Sequence, residues 1–441
     1  MKKIISNCVF TALCACVVMG FASCEKSVLD EDSPSHDETA GLSRLSIVTR
    51  GGDSEPATVK DGRIYIFDTD GKCVKVLTTT EESNSANVTL TAGTYTLCAV
   101  GSNNLSRFSL PTQTAATTGS VISLQEGQTM DEIFAKTQSV TLEAGKDKNE
   151  NITLERKVTG IREIHVKDVP TEVTGVSVTI APFYSGMHLD GTFTDIATQD
   201  FTTTLTQQED GTTWKTTSEQ LVFPSAGTPT IYLTFTTENG TNMYSSTLSS
   251  ALNPNIHYTF SGSYAITSAK FTATLMAENW GDDEIVNFDF DDTNVAYRNL
   301  TAGQFVNSYY VVSVNANNHT AVLLNKSTVD YTAPAAGSDA TQAEWIEAVT
   351  TPLATLAKPA GITTGTWRLP TLAEVSIFSK DANVATFKDD GTTGSYFCMD
   401  GETIKWAYCK RTGDNYEVKS GTAKMSSIVN LRPVITIEMN E

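Results

Sequence analysis

The chain has 441 residues, with 31 Lys and Arg against 51 Asp and Glu, and a formal charge of −20. An acidic surface of that size repels phosphate backbones, which argues against nucleic acid as a partner. The length suits roughly two to four domains, each able to bury a core of its own.

The amino end carries Lys2 and Lys3, an apolar run from Ile4 to Met19, and then Gly20-Phe21-Ala22-Ser23-Cys24. The run is too short to span a bilayer and ends in small residues, the pattern of a secretion signal. Ala22-Ser23-Cys24 resembles the lipobox of bacterial lipoproteins, in which the signal is cut before the cysteine and the cysteine takes the lipid. Residues 1–23 are therefore expected to be a lipoprotein signal peptide, with Cys24 as the lipid-attachment site and the outer membrane or cell surface as the address. Residues 24–44 are acidic and poor in large apolar side chains, and read as a tether.

A short strand follows, in which Leu45, Ile47 and Thr49 alternate with Ser46 and Val48 up to Arg50-Gly51-Gly52. Segments 64–67 and 74–77 flank Asp68-Thr69-Asp70-Gly71-Lys72, a hairpin with glycine where a positive φ is needed. Segments 88–90 and 94–100 are further strands. Residues 101–128 read as a long loop and 130–136 as one or two helical turns. From Ile152 to Val166 apolar and polar residues alternate, and Gly160 midway suggests a bulge or a handover between sheets. The first boundary falls here, between residues 45–157 and 158–292.

The second region has strand patterns at 176–180, 221–223, 231–235, 243–246, 258–264 and 271–276, with Asn239-Gly240 as a hairpin signal. Thr-rich wet faces and hardly any helix indicate a sandwich. Residues 293–441 change character. A helix is expected over 340–357, with Asp339 as N-cap and Gln342 three residues on, and another opens at Thr371 with Glu374 in the same relation. A hairpin turning at Asp400-Gly401 and an apolar strand at 431–437 complete a mixed α+β module.

Catalytic spacing is missing. His36, His165, His188, His257 and His319 are scattered, with no i, i+4 pair, no glycine-rich phosphate loop and no G-x-S-x-G. No enzyme activity, cofactor or metal is expected. The acidic runs Asp282-Asp283-Glu284 and Asp289, Asp291, Asp292 lack the loop glycine and terminal Glu of an EF-hand, and read first as a solvated linker face. Trp367-Arg368 is either a sugar-stacking shelf or a buried pair beside a helix start. Cys73, Cys98, Cys398 and Cys409 follow the signal, and export permits disulfides among them in three pairings. With the turn at Asp400-Gly401, Cys398 and Cys409 stand roughly 20 Å apart along one strand face, beyond disulfide reach. Free buried thiols and disulfides both stay open.

Taken in order, the tether, the strand ending in Arg50, YIFDTDGKCV, AGTYTLCAVGS, LERKVTGIREIHV and ALNPNIHYTFSGSY followed by ENW resemble the fimbrillin family, the lipoprotein pilins of type V pili. The resemblance runs from Cys24 to about Asp292. It implies two transthyretin-like β-sandwich domains, export as a lipoprotein, and a trypsin-like cut after an Arg past the first strand. Loss of that strand opens an apolar groove that a neighbouring subunit's strand fills, so the implied partners are other pilus subunits. Carried onto this chain, the displaced strand is Leu45, Ile47 and Thr49 with their neighbours, and the cut follows Arg50. Arg44 is the competing site, and Gly51-Gly52 favours Arg50. GTWRLPTLAEVSIF and NLRPVITI resemble C-type-lectin-like modules of bacterial surface proteins, without the calcium-and-sugar tripeptides of true C-type lectins. The expected fold is thus mainly β: two sandwiches followed by a smaller α+β lectin-like domain. The expected function is a fimbrial subunit at or near the tip, with an adhesive carboxyl-terminal domain. A membrane-anchored glycan-binding lipoprotein that never polymerises is the alternative.

Overall fold

A computed structural model describes residues 42–51, 59–81, 83–265, 270–279, 283–290, 295–422 and 429–440. The signal segment, Cys24 and the tether lie outside the described residues. What is described is mainly β, as the alternating patterns predict.

The first strands are β1 (Leu42–Gly51), β2 (Asp61–Phe67), β3 (Cys73–Thr80), β4 (Ser85–Thr91), β5 (Gly93–Ser102), β6 (Phe108–Ser109), β7 (Val121–Leu124), β8 (Ile133–Leu142) and β9 (Lys148–Arg156). Seven of them form one sheet in the order β3-β2-β5-β8-β9-β1-β4. β8 and β9 pair only at Phe134 with Arg156 and Ala135 with Glu155, so the sheet folds there into two facing layers. Ile64, Ile66, Leu97, Ala99 and Val140 of one layer meet Leu45, Ile47, Ile152 and Leu154 of the other. In the β2–β3 turn, Asp68 Oδ1 accepts from the N–H groups of Asp70 and Lys72 at 3.1 and 2.9 Å. Gly71 supplies the left-handed residue at φ +76°.

The β2-β5-β8 layer is covered on its second face as well. Tyr65, Phe67, Cys98, Val100, Ile133 and Ala135 pack there against Phe108, Ile122, Met187 and Leu189. Two covered faces explain two departures from expectation. Residues 130–136 are not helical, because Ile133, Phe134 and Ala135 open a strand whose sides are both buried, and such a strand loses its period of two. Residues 101–128 contain β6 and β7, which join the strand Gly186–His188 of the next region in a small sheet of their own.

The next region begins with β10 (Thr159–Lys167), β11 (Val173–Tyr184) and β12 (Gly186–His188). The long alternation across Ile152–Val166 thus divides into β9 and β10, which lie in different sheets. β10 runs parallel to the strand Ile256–Ala265. Gly160 is required at that contact, since a Cβ there would lie 2.5 Å from His257 Nδ1. β11 pairs with Thr198–Gln207 on one side and Ser225–Thr237 on the other. Ile164, Val166, Tyr258 and Phe260 of the β10 layer pack on Val176, Val178, Ile180, Leu233 and Phe235 of the β11 layer.

The last region holds α1 (Gln342–Thr350) and α2 (Leu372–Phe378) beside a sheet that includes Tyr309–Asn315, Thr320–Leu324 and Val434–Glu438. The α1 cap is Thr341 with Glu344, two residues past the expected Asp339 and Gln342. Glu344 accepts the Thr341 N–H at 2.7 Å, whereas the Gln342 amide oxygen accepts the Ile404 N–H at 2.9 Å and ties the helix to the next hairpin. The α2 box of Thr371 and Glu374 forms where the spacing predicts it. The hairpin turn is also corrected: Asp400 faces Thr403 and Cys398 faces Lys405, so Gly401-Glu402 makes the turn.

Candidate functional site: the slot that holds the first strand

β1 is an inner strand. Leu45 lies opposite Val88 of antiparallel β4 on one side and Lys148 of parallel β9 on the other. The alternation read from the sequence sets its faces: Leu45 and Ile47 are fully buried, with Ser43 and Thr49 buried at either end. Burying two large aliphatic side chains stabilises the strand in place by about 3 to 6 kcal/mol. The end residues are satisfied as well as buried. The Ser43 hydroxyl donates to the Lys146 carbonyl, and the Thr49 N–H donates to the Asn84 carbonyl at 3.1 Å.

Both candidate cleavage residues lie within β1. Arg44 is exposed and pairs with Thr89. Arg50 pairs with Thr153 and Gly51 with Leu154, so the backbone at the favoured site belongs to a ladder rather than to an open turn.

The β9 wall of the slot is braced. Gln138 Nε2 of β8 donates to Glu150 Oε2 at 2.7 Å. The Arg156 side chain is only 5% exposed and meets Glu132 Oε1 at 3.0 Å. It also donates to Asn255 Oδ1 at 2.7 Å and lies 5.0 Å from the centre of the Phe134 ring. Sequence reading passed over Arg156, because one Arg at a strand end carries no pattern.

Residues 36–315, more than half of the chain, match the family model of the fimbrillin-A associated anchor proteins Mfa1 and Mfa2. The chain belongs to that family. Among solved structures, the fimbrial anchor protein Mfa2 from Porphyromonas gingivalis aligns over 54% of this chain and 98% of its own, at 12% identity and a TM-score of 0.43. The tip fimbrial protein Mfa3 from the same organism, truncated at its C-terminus, aligns over 57% and 99%, at 13% identity and 0.34. A fimbrial assembly protein from Parabacteroides distasonis aligns over 56% and 98%, at 12% identity and 0.31. No curated protein matches the sequence.

The match to the Mfa1 and Mfa2 family stops before Trp367 and Arg368. Neither residue forms the stacking shelf the sequence allows. Trp367 is 7% exposed in the core of the last region, and its indole N–H donates to the Ala357 carbonyl at 2.9 Å. Arg368 grips Glu374 with two bonds of 2.8 and 2.7 Å. Burial alone would raise the Glu374 carboxyl, but the Arg368 guanidinium and the Thr371 N–H outweigh it and hold the group below its ordinary range. The strand Val434–Glu438 lies between Thr320–Leu324 and Trp367–Arg368, with Val434, Ile435 and Ile437 buried.

One constellation of this fimbrillin-associated chain was invisible in sequence. Ser261 Oγ lies 2.7 Å from His165 Nε2, and His165 Nδ1 lies 3.0 Å from Glu163 Oε1. The order is that of a hydrolytic triad, but the Ile256–Ala265 strand is paired on both sides, so its N–H groups are committed to ladders rather than to an oxyanion. The trio joins β10 to its parallel neighbour. Among the described residues no group of three His, Cys, Asp or Glu is able to hold a metal. The side chains of the two acidic runs fall outside the described residues. Cys73, Cys98, Cys398 and Cys409 are free and buried, and burial pushes the Cys98 and Cys398 thiols up to about 11. Among the described residues no helix is long and apolar enough to cross a membrane.

Proposed function

We propose that this chain is a fimbrial subunit at a terminal place in the filament, tip or tip-proximal, exported as a lipoprotein through Cys24. A cut after Arg50 releases β1, and a strand from a neighbouring subunit takes its slot; at the competing site, Arg44, a cut leaves Leu45 and Ile47 on the mature chain. The observation that carries this reading is the position of β1: an inner strand with Leu45 and Ile47 fully buried, at the amino end of the described chain. A vacated slot leaves apolar side chains and two unpaired strand edges facing each other, which favours strand addition. The strand Val434–Glu438 is built into its own core, so it is unavailable for donation, as suits a terminal subunit. The two amino-terminal regions act as transthyretin-like sandwiches and the last as a lectin-like adhesive end, and the role is mechanical rather than catalytic.

A second reading is favoured by the family's own description as anchor proteins and by the pairing of Arg50 within the ladder. In that reading β1 stays in place and the lipid on Cys24 holds the protein at the outer membrane. Mass spectrometry of the protein taken from the cell surface separates the two. An amino terminus at Gly51 supports the terminal, matured subunit, whereas one at Leu45 leaves the buried residues of β1 on the chain and counts against strand replacement. A lipid-bearing Cys24 on the filament-associated protein supports the anchor and overturns the cut.

A further inference from the structure

The last region carries a small sheet with an open edge. Tyr396–Asp400, Thr403–Thr412 and Asn415–Thr422 pair in that order, so among the described residues Asn415–Thr422 has a neighbouring strand on one side only. It holds no Pro and no bulge, and apart from Val418 and Gly421 its residues are exposed. The middle strand shows which of its backbone groups point outward. The Cys409 carbonyl accepts the Thr393 N–H at 2.9 Å, and the Arg411 N–H donates to the Gly391 carbonyl at 2.7 Å, both on the side opposite Asn415–Thr422. The bonding side alternates from residue to residue along a strand, so Tyr408 and Lys410 are the ones that bond to their register partners Lys419 and Glu417. The N–H and C=O groups of Tyr416, Val418 and Ser420 therefore face outward along the edge.

For a second copy laid antiparallel on this edge, outward groups meet only when even-numbered residues stand opposite even-numbered ones. The charges choose among those registers. Centring the pair on Glu417 or on Lys419 sets like charges against each other. Centring it on Val418 sets Glu417 opposite Lys419 of the second copy, twice, by symmetry. We infer that Asn415–Thr422 is a self-pairing edge, through which two copies of this chain join about a two-fold axis at Val418 into one six-stranded sheet. Val418 exchanges both hydrogen bonds with its own counterpart, at a Cα separation of about 5.5 Å, and the Glu417–Lys419 pairs are of the closer kind, about 4.5 Å apart. Within one copy Glu417 and Lys419 already form an ion pair, so pairing links two such pairs into an alternating cluster. Tyr416, exposed in the single chain and packed edge-on to Phe387, lies diagonal to Val418 of the second copy on one face of the joined sheet. Edge charges ordinarily deter a foreign strand; in this order they admit the chain's own. Contact through so short an edge is small, so the pairing is reversible and depends on concentration. None of this draws on the fate of β1.

Sedimentation velocity on the chain from residue 24 onward, in reductant and across a wide concentration range, tests it. The parent should pass from monomer to dimer as concentration rises. Lys419→Glu and Glu417→Lys, each at an exposed position, should each weaken the dimer at least about tenfold, because both cross-strand pairs become like-charged. Mixing the two variants should restore pairing, since the acidic edge of one then faces the basic edge of the other. A parent that stays monomeric throughout, or a dimer unchanged by either substitution, or variants that fail to pair when mixed, overturns the inference. Each of these results leaves strand replacement at β1 to be judged by its own test.

Discussion

Ser46 donates its hydroxyl hydrogen to Asn87 Oδ1 at 2.6 Å, across the boundary between β1 and β4. The bond is exposed, while one residue to either side Leu45 and Ile47 are fully buried. Core packing therefore holds β1 in its slot, and the surface bond fixes its register.

Leu45→Ala and Ile47→Ala should each cost about 2 to 5 kcal/mol, and Ser46→Ala under about 1 kcal/mol. Urea denaturation of the three variants checks this. Equal losses at all three positions would show that the strand is held by its backbone ladder alone.

Arg156→Ala leaves Glu132 and Asn255 without the guanidinium at a site only 5% exposed. The expected loss is about 3 to 5 kcal/mol. Arg156→Lys should recover part of it, because an ammonium reaches one partner and not both. A fully stable alanine variant would mean that β9 needs no brace from beyond its own sheet.

Glu374 sits below its ordinary range in the folded chain, despite burial, through Arg368 and Thr371. A depressed carboxyl contributes stability that is present above its unfolded value, about 4.3, and lost as pH falls through the lower folded value. Glu374→Gln should therefore unfold at lower urea than the parent near neutral pH, and the gap should close below about pH 4. A gap that does not change with pH would assign the loss to packing.

The sequence made β1 legible because one of its faces is wet, which preserves a period of two up to Arg50-Gly51. β8 was missed for the opposite reason. With Ile133, Phe134 and Ala135 all buried, three apolar residues in a row look like a helical turn. The α1 cap was displaced because Asp339/Gln342 and Thr341/Glu344 both have capping-box spacing, and only the carboxylate of Glu344 turns back to the cap. Slot walls were beyond reach altogether. Pairing of Leu45 with Lys148 joins segments about a hundred residues apart, and the approach of Ser261 to His165 depends on a parallel register of the same kind.

The thiols give a quick check on packing. Burial raises Cys98 and Cys398 to about 11, so little thiolate exists at neutral pH. Both should resist alkylation in the native protein and react fully in denaturant. Fast native labelling of either would mean that its sheet opens readily.

The most direct measurement is the structure of the assembled filament by electron cryomicroscopy, at a resolution that identifies side chains. The predicted density between β9 and β4 is a strand from another subunit, parallel to β9, with aliphatic side chains where Leu45 and Ile47 stood. Finding the chain's own Leu42–Gly51 still in that place, in the copy at the end of the filament, would contradict the account.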